Sequence, residues 1–379
     1  MKRIICFLVL LCLLPLKVQA AEPDIGGKSA LLMDAATGTI LYESNPHEQL
    51  APASVTKVMT MLLIMEAVDS GKIRMEDTVT ASEAAAAKGG SQIFLKVGET
   101  MSVSDMLKSI AVSSANDCAC AMAEHIAGSD SAFVEMMNSR AQELGMQDTH
   151  FVNCTGLDDG PEAAGHRTSA HDIALMSREL MTQHPDIKKF TTIWMDTVRN
   201  GAFGLSNTNK LIRFYPGATG LKTGFTSGAG YCLSATAERE GLELIAVVMG
   251  CATSQERTAA CKGMLDYGFA NFAVVSPDLT EQDTAVSVNL GKETSVSAIL
   301  GDNTEMLIDK AKKSSITTEV TLADTVTAPV AKGQNLGTMT IKAGEQVLAE
   351  VPLVAAEDVA RLTFWDLFVT VLRKAAMAK

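Results

Sequence analysis

The stretch SVTK at residues 54–57 combines a serine and a lysine three residues apart. It opens a segment with apolar residues on most sides as far as Val68, which predicts a buried helix ended by Gly71. Residues three apart share one face of a helix, so the Lys57 amine can reach the Ser54 hydroxyl. A base activates a serine hydroxyl, and lysine is such a base once burial or a nearby cation lowers its pKa. The alternative is a helix-capping serine beside a solvated lysine.

The sequence SAN at residues 114–116 begins 60 residues after Ser54. It is expected at the start of a helix, inside a long helical region over 102–145. The Ser114 hydroxyl can relay a proton, and the Asn116 amide can hold an amide of a substrate. Both residue types also favour helix caps, which is the alternative explanation.

The sequence KTG at residues 222–224 follows the second motif by 108 residues. A strand carrying Lys222 and Thr223 at a cleft edge can bind a carboxylate, and Gly224 lets a substrate backbone approach closely. The charge of Lys222 is also expected to lower the pKa of Lys57. An exposed edge strand explains this motif alone, but the three motifs together share no such explanation.

The first twenty residues have the pattern of a secretory signal peptide. Lys2 and Arg3 precede an apolar run over residues 4–16, which is short for a membrane span, and small residues precede a cleavage site after Ala20. The alternative is an uncleaved N-terminal anchor. We therefore expect an exported protein.

The chain is acidic, with 44 acidic and 32 basic residues and a net charge of −12, which becomes −15 without the signal peptide. This charge argues against binding to a nucleic-acid backbone. Aromatic residues make up only 5%, which argues against a stacking platform for single strands. Hydrophobic residues at 47% exclude a disordered chain.

The mature chain is expected to form two unequal domains, residues 21–275 and 276–355. In the first, the pattern predicts a β-hairpin over 29–42, a buried strand over 244–249 and a closing helix over 257–272. The second carries short Val-, Thr- and Ile-rich stretches separated by turn residues, which predicts a small β-domain.

The last segment, residues 356–379, is amphipathic. Its helical wheel collects apolar residues on one face, namely Phe364, Trp365, Leu367, Phe368, Val371 and Leu372. The segment is too short and too charged to span a bilayer, so we expect it to lie in a membrane interface. The alternative is a helix docked on the protein's own domain.

The cysteines do not suggest a disulfide framework, and the histidines do not suggest a metal site. Removing the signal peptide leaves six of eight cysteines, which we expect to be mostly small buried residues, with a Cys251–Cys261 bridge left open. The six histidines show no H-E-x-x-H pattern, and His166 and His171 are expected to be structural. No metal or other cofactor is expected.

The three motifs in this order are typical of penicillin-binding proteins and class A β-lactamases. Further segments extend the match, namely 29–45, 145–157, 207–211 and 327–353. With them the chain resembles the low-molecular-mass penicillin-binding proteins, and more narrowly the serine-type D-alanyl-D-alanine carboxypeptidases of the peptidase S11 family. The resemblance implies an α+β fold with an antiparallel sheet between helical layers, a C-terminal all-β domain and a terminal amphipathic anchor helix.

The resemblance also implies roles for the first two motifs. Ser54 would be the acylated nucleophile and Lys57 its base, while Ser114 and Asn116 would shuttle protons and hold the peptide. The oxyanion would be bound by the backbone N–H groups of Ser54 and Phe225. Some family members have His where this chain has Phe225, so only the N–H of that residue is assigned a role.

The third motif is implied to bind the terminal carboxylate of the substrate through Lys222, Thr223 and Gly224, assisted by Arg257. The implied reaction removes the terminal D-Ala from peptidoglycan stem peptides through an acyl-enzyme, with β-lactams as covalent inhibitors. The protein would work at the outer face of the cytoplasmic membrane, in the periplasm or in the cell wall.

Two other activities and one non-catalytic role, as a β-lactam sensor or a wall-binding module, remain as alternatives. A D,D-endopeptidase that cuts crosslinks uses the same residues. A class A β-lactamase needs a carboxylate that activates water, but no Glu occurs between Glu143 and Glu162. A non-catalytic β-lactam sensor should follow several membrane spans, and a wall-binding module should have lost Ser54 or Lys57.

Overall fold

The computed structural model describes residues 23–158, 160–280, 282–301, 305–366, 368, 369 and 372. The expected signal peptide and much of the expected terminal helix therefore lie outside the described residues. In chain order the α-helices are α1 (Lys57–Asp69), α2 (Glu83–Ala86), α3 (Val103–Ser113), α4 (Asn116–Ala127), α5 (Asp130–Glu143), α6 (Ala170–Gln183), α7 (Lys188–Thr191), α8 (Leu211–Phe214) and α9 (Ser254–Asn271).

The strands precede, separate and follow these helices. In chain order they are β1 (Ser29–Asp34), β2 (Ile40–Ser44), β3 (Thr78–Thr80), β4 (Thr100–Ser102), β5 (Met195–Val198), β6 (Phe203–Ser206), β7 (Ala218–Thr226), β8 (Gly230–Arg239), β9 (Leu242–Cys251), β10 (Phe272–Val275), β11 (Ala285–Asn289), β12 (Ser295–Leu300), β13 (Met306–Asp309), β14 (Ile316–Leu322), β15 (Thr325–Thr327), β16 (Asn335–Ala343) and β17 (Gln346–Ala355).

An antiparallel sheet in the order β2-β1-β9-β8-β7 forms the centre of the larger unit. Alternate residues of its inner strands point to opposite faces, and both faces are buried. In β1, Leu31 and Met33 join a core with α1, α3, α4 and α6, while Ala30 and Leu32 join a core with α9. The predicted sheet between helical layers is confirmed.

Most local elements predicted from the sequence are present. The hairpin of β1 and β2, the buried strand β9 and the closing helix α9 are confirmed. The helical region over 102–145 is divided into three helices. It breaks at Ser114 and Gly128, which have φ angles of 61° and 84°, because a left-handed residue ends a helix.

The smaller unit is a six-stranded sheet in the order β14-β16-β17-β12-β11-β15, around an apolar core of its own. Its pairings are antiparallel apart from the parallel pair β11 and β15. Strand β10 follows α9 directly and pairs with β13, which connects the two units. The predicted C-terminal all-β domain is confirmed.

The six cysteines after the expected signal peptide are free and buried, so the structure contains no Cys251–Cys261 bridge. Within the described residues, no helix combines the length and the apolar character that crossing a bilayer requires.

Two glycines of α9 test how closely this helix packs on the sheet. A Cβ at Gly268 would lie 2.4 Å from Leu244 Cδ1, whereas a Cβ at Gly263 would meet only Pro23 Cβ at 3.7 Å. We expect Gly268→Ala to lower the free energy of unfolding by about 1–3 kcal/mol through overpacking. The control Gly263→Ala should raise it by up to about 1 kcal/mol, since alanine favours helix. Urea unfolding checks both, and equal effects would contradict this packing.

Candidate active site

Ser54 lies in a 3-10 turn over Ala53–Thr56, not in the α-helix as expected, because α1 begins only at Lys57. Side chains three apart eclipse each other in a 3-10 helix, so the spacing still brings the pair together. Lys57 Nζ donates to Ser54 Oγ at 2.9 Å and to the Thr155 carbonyl at 2.7 Å. The helix-cap alternative is wrong, since neither this turn nor α1 has a side-chain cap.

The Lys57 amine is held away from water. The residue is fully buried, and this burial lowers the pKa of Lys57 to about 7, against the opposing effects of Cys154 and Asp117. Burial is one of the two causes expected from the sequence, whereas the other, the charge of Lys222, is not among the causes that shift the pKa of Lys57. Repulsion between the two lysines instead appears in the pKa of Lys222, which burial lowers first and Lys57 and Arg257 lower further. A substantial share of Lys57 is therefore neutral at pH 7.

The second motif presents two unpaired polar atoms. Ser114 ends α3 in a left-handed conformation, and Asn116 is the first residue of α4. Within the part of the chain that the structure describes, Ser114 Oγ and Asn116 Oδ1 are buried without a hydrogen-bond partner. Because buried polar atoms are normally paired, these two are available to a ligand. The cap alternative holds only in part, since Ser114 is the C-cap residue of α3, whereas the N-cap of α4 is Ala115 and not Asn116.

The loop between α2 and β4 holds both the side chain and the backbone of Asn116 in place. Asn116 Nδ2 donates to the Gly89 carbonyl at 2.7 Å, and the Asn116 backbone N–H donates to the Ser91 carbonyl at 2.7 Å. The buried Asp117 carboxylate accepts the N–H groups of Ile93 and Leu95 further along the same loop. The free Oδ1 of Asn116 is therefore fixed in its orientation.

The third motif lies on β7, an edge strand of the main sheet. Lys222 and Thr223 are nevertheless buried, at 1% and 6% exposure, so the exposed-strand alternative is wrong. Gly224 has a packing role that the sequence did not reveal, because a Cβ there would lie 2.7 Å from the Pro52 carbonyl. This contact sets β7 against the turn that carries Ser54.

The last two predicted residues flank β7. Phe225 is half-exposed and stacks on Tyr231 with ring centroids 4.2 Å apart. Arg257, in the first turn of α9, donates Nη1 to the Gly224 carbonyl at 2.8 Å, and its Nε is buried without a partner among the described residues. Burial lowers the pKa of the Arg257 guanidinium. The structure therefore places Arg257 on the backbone of the third motif.

Thr208 joins the second and third motifs and was not predicted as a site residue. Its N–H donates to the Val112 carbonyl at 3.1 Å, and its Oγ1 accepts from Thr223 Oγ1 at 2.7 Å. Val112 lies two residues before Ser114. The three motifs thus meet around one site.

Gly156 and Asn153 were also missed. Gly156 has a φ of 80°, and a Cβ there would lie 1.8 Å from the Ala53 carbonyl oxygen, so only glycine fits beside the turn. Asn153 Oδ1 accepts the N–H groups of Thr155 and Gly156, which fixes the carbonyl that binds Lys57. The turn-forming NCTG stretch at 153–156 was the available signal. Among the residues that the structure describes, no group of His, Cys, Asp and Glu is arranged to hold a metal ion.

Comparison with known proteins identifies the class of enzyme to which this site belongs. The pattern of the peptidase S11 family, D-alanyl-D-alanine carboxypeptidase, matches residues 16–253, and that of the penicillin-binding protein 5 C-terminal domain matches residues 276–361. The chain therefore belongs to the peptidase S11 family, as the sequence predicted.

Relatives resemble the chain over nearly its whole length. It is 45% identical to the D-alanyl-D-alanine carboxypeptidase DacF of Bacillus subtilis, over 89% of this chain and 87% of the relative. It is 33% identical to DacC of Escherichia coli, over 91% and 88%. The crystal structure of penicillin binding protein 5 from Haemophilus influenzae has a TM-score of 0.72 at 32% identity, covering 90% of this chain and 99% of that one.

Proposed function

We propose that this serine-type D-alanyl-D-alanine carboxypeptidase uses Ser54 as its nucleophile and Lys57 as the base that activates it. One observation carries the assignment: a buried amine with a pKa near 7 lies 2.9 Å from the Ser54 hydroxyl oxygen. A general base works best when its pKa is close to the operating pH and it lies within hydrogen-bond reach of the proton.

Acylation then follows from these positions. Ser54 Oγ attacks the carbonyl carbon of the penultimate D-Ala as its proton passes to the neutral Lys57 amine. The C–N bond breaks, and the terminal D-Ala leaves with a proton relayed from Lys57 through the unpaired Ser114 hydroxyl. In deacylation, water attacks the ester of the acyl-enzyme, and Lys57 takes a proton from that water. Ser54 Oγ then leaves and regains a proton from Lys57.

Substrate recognition is assigned to the remaining motif residues. Asn116 Oδ1 is free to accept an amide N–H of the stem peptide. Lys222 and Thr223 are proposed to bind the terminal carboxylate by charge and hydroxyl, with Gly224 in the same strand and Arg257 bonded to the Gly224 carbonyl. The N–H groups of Ser54 and Phe225 are proposed to bind the oxyanion.

β-Lactams are proposed to acylate the same serine. The crystal structures of penicillin-binding protein D2 from Listeria monocytogenes in its cefotaxime-bound and ampicillin-bound forms are 31% and 32% identical to this chain, with TM-scores of 0.60 and 0.57. A D-alanyl-D-alanine endopeptidase of Pseudomonas aeruginosa is also related, but it matches only 56% of this chain. Carboxypeptidase activity is therefore preferred to crosslink cleavage.

We also propose export and attachment to the outer surface of the cytoplasmic membrane. Residues 1–20 would be removed, residues 21–275 would catalyse, and 276–355 would form the accessory β-unit. Residues 356–379 would anchor the protein. Val359, near the start of that segment, is buried in the core of the β-unit, but the described aromatic residues after it are exposed, with Phe364 and Trp365 at 73% and 69%. Aromatic residues of this kind suit a lipid interface.

The nucleophile is tested with Ser54→Ala. We expect the wild type to release D-Ala from diacetyl-L-Lys-D-Ala-D-Ala and to gain one slowly released penicillin adduct. Ser54→Ala should form no adduct and lose more than about 1,000-fold in activity, because no acyl-enzyme can form. Ser70→Ala, at the far end of α1, is the control and should behave as wild type. Intact mass and D-Ala assays check both, and an adduct on Ser54→Ala would contradict the assignment.

The anchor is tested with Phe364→Ser/Trp365→Ser in the full mature chain. Losing two apolar rings from the lipid boundary should weaken vesicle binding by about 100-fold or more. Phe214→Ser, which removes an equally exposed ring from the catalytic unit, should not weaken it. Cosedimentation with phospholipid vesicles measures the difference. Equal binding by both variants would exclude the segment as the anchor.

A further inference from the structure

The turn that carries Ser54 begins with a strained residue. Ala53 is buried and has a φ of 46°, in the left-handed region that costs a non-glycine residue about 1–2 kcal/mol. Such a conformation persists only where surrounding contacts fix it. The contacts at this turn therefore determine where the Ser54 hydroxyl points.

A chain of three hydrogen bonds ends at this strained residue. The Val152 backbone N–H donates to His166 Nδ1 at 3.1 Å. His166 Nε2 lies 2.7 Å from Thr56 Oγ1, and Thr56 Oγ1 donates to the Ala53 carbonyl at 2.8 Å. A backbone N–H can only donate and a carbonyl can only accept, so the proton of the imidazole is on Nε2 and is donated to Thr56.

These three hydrogen bonds require a neutral imidazole, and the surroundings of His166 favour that form. His166 is 4% exposed, and burial, with smaller effects of His150 and Lys57, lowers the pKa of His166 to about 4. Its ring also packs edge-on against Phe151 at 5.7 Å between centroids. The ring is thus fixed both by packing and by hydrogen bonds at its two nitrogens.

His166 connects the two segments that hold the reactive pair. On one side Thr56 belongs to the turn with Ser54. On the other, Val152 leads into the loop whose Thr155 carbonyl accepts from Lys57 Nζ at 2.7 Å. The structural role that the sequence suggested for His166 is therefore located between the two segments that position Ser54 and Lys57.

We infer that His166, acting through Thr56, is a positioning residue that holds the strained turn so that Ser54 Oγ stays within reach of Lys57 Nζ. The inference rests on the proposed role of Ser54 as nucleophile. Neither His166 nor Thr56 touches the reacting atoms, so their loss should slow the chemical step and leave substrate binding unchanged.

The test compares Thr56→Val, which keeps the branched shape but removes the hydroxyl, with Thr56→Ser, which keeps the hydroxyl. Losing one buried hydrogen bond should slow acylation by benzylpenicillin about 10- to 100-fold in Thr56→Val, with kcat on the peptide reduced and KM unchanged. Thr56→Ser should restore most of the rate. His166→Leu should match Thr56→Val, and the double variant should be no slower than the slower single variant.

The control is His184→Leu, which removes a histidine paired with Asp69 at the other end of α1. That end lies about 18 Å from Lys57, so acylation should be unchanged. If Thr56→Val and His166→Leu lose thermal stability but acylate at the wild-type rate, the two residues are only structural and the inference is wrong. Absence of any adduct on the wild type would instead overturn the role of Ser54.

Discussion

The chemistry of this site requires a buried amine beside a hydroxyl. Lys57 is fully enclosed, and its Nζ lies 2.9 Å from Ser54 Oγ. Enclosure makes a charged ammonium costly, which lowers the pKa of Lys57 to about 7 and leaves an amine that can accept a proton. A lysine with its ordinary pKa would be charged at neutral pH and could not act as a base.

Maintaining that pair requires close contacts that tolerate few substitutions. The turn around Ser54 is confined on two sides by backbone. Gly156 lies against the Ala53 carbonyl and Gly224 against the Pro52 carbonyl, each too close for a side chain. The sheet and helices position these contacts, since β7 carries Gly224 and α1 carries Lys57. The fold therefore positions the Gly156 loop and strand β7 against the one strained turn that carries Ser54.

Patterns of residues close in sequence were enough to predict many of the helices and strands of this protein. The hairpin and the buried strand β9 follow from strand-like runs of apolar residues, because such signals depend on neighbours in sequence. The α+β fold was implied by the family resemblance that the three motifs carry. The family assignment was likewise correct. The bond from Lys57 to the Thr155 carbonyl and the bridge through Thr208 could not be predicted, because they join residues distant in sequence. The sequence suggested burial or a nearby cation as the cause of the Lys57 pKa shift, and it could not decide between them because burial depends on tertiary packing.

The pKa of Lys57 can be measured directly. NMR of protein labelled with 15N at lysine side chains should show one Nζ, absent in Lys57→Met, that changes from the charged to the neutral form with a midpoint near pH 7. The neutral form should predominate above that pH, because a lowered pKa releases the proton earlier. A Lys57 Nζ that stays protonated up to pH 10 would show that Lys57 cannot act as the base for Ser54.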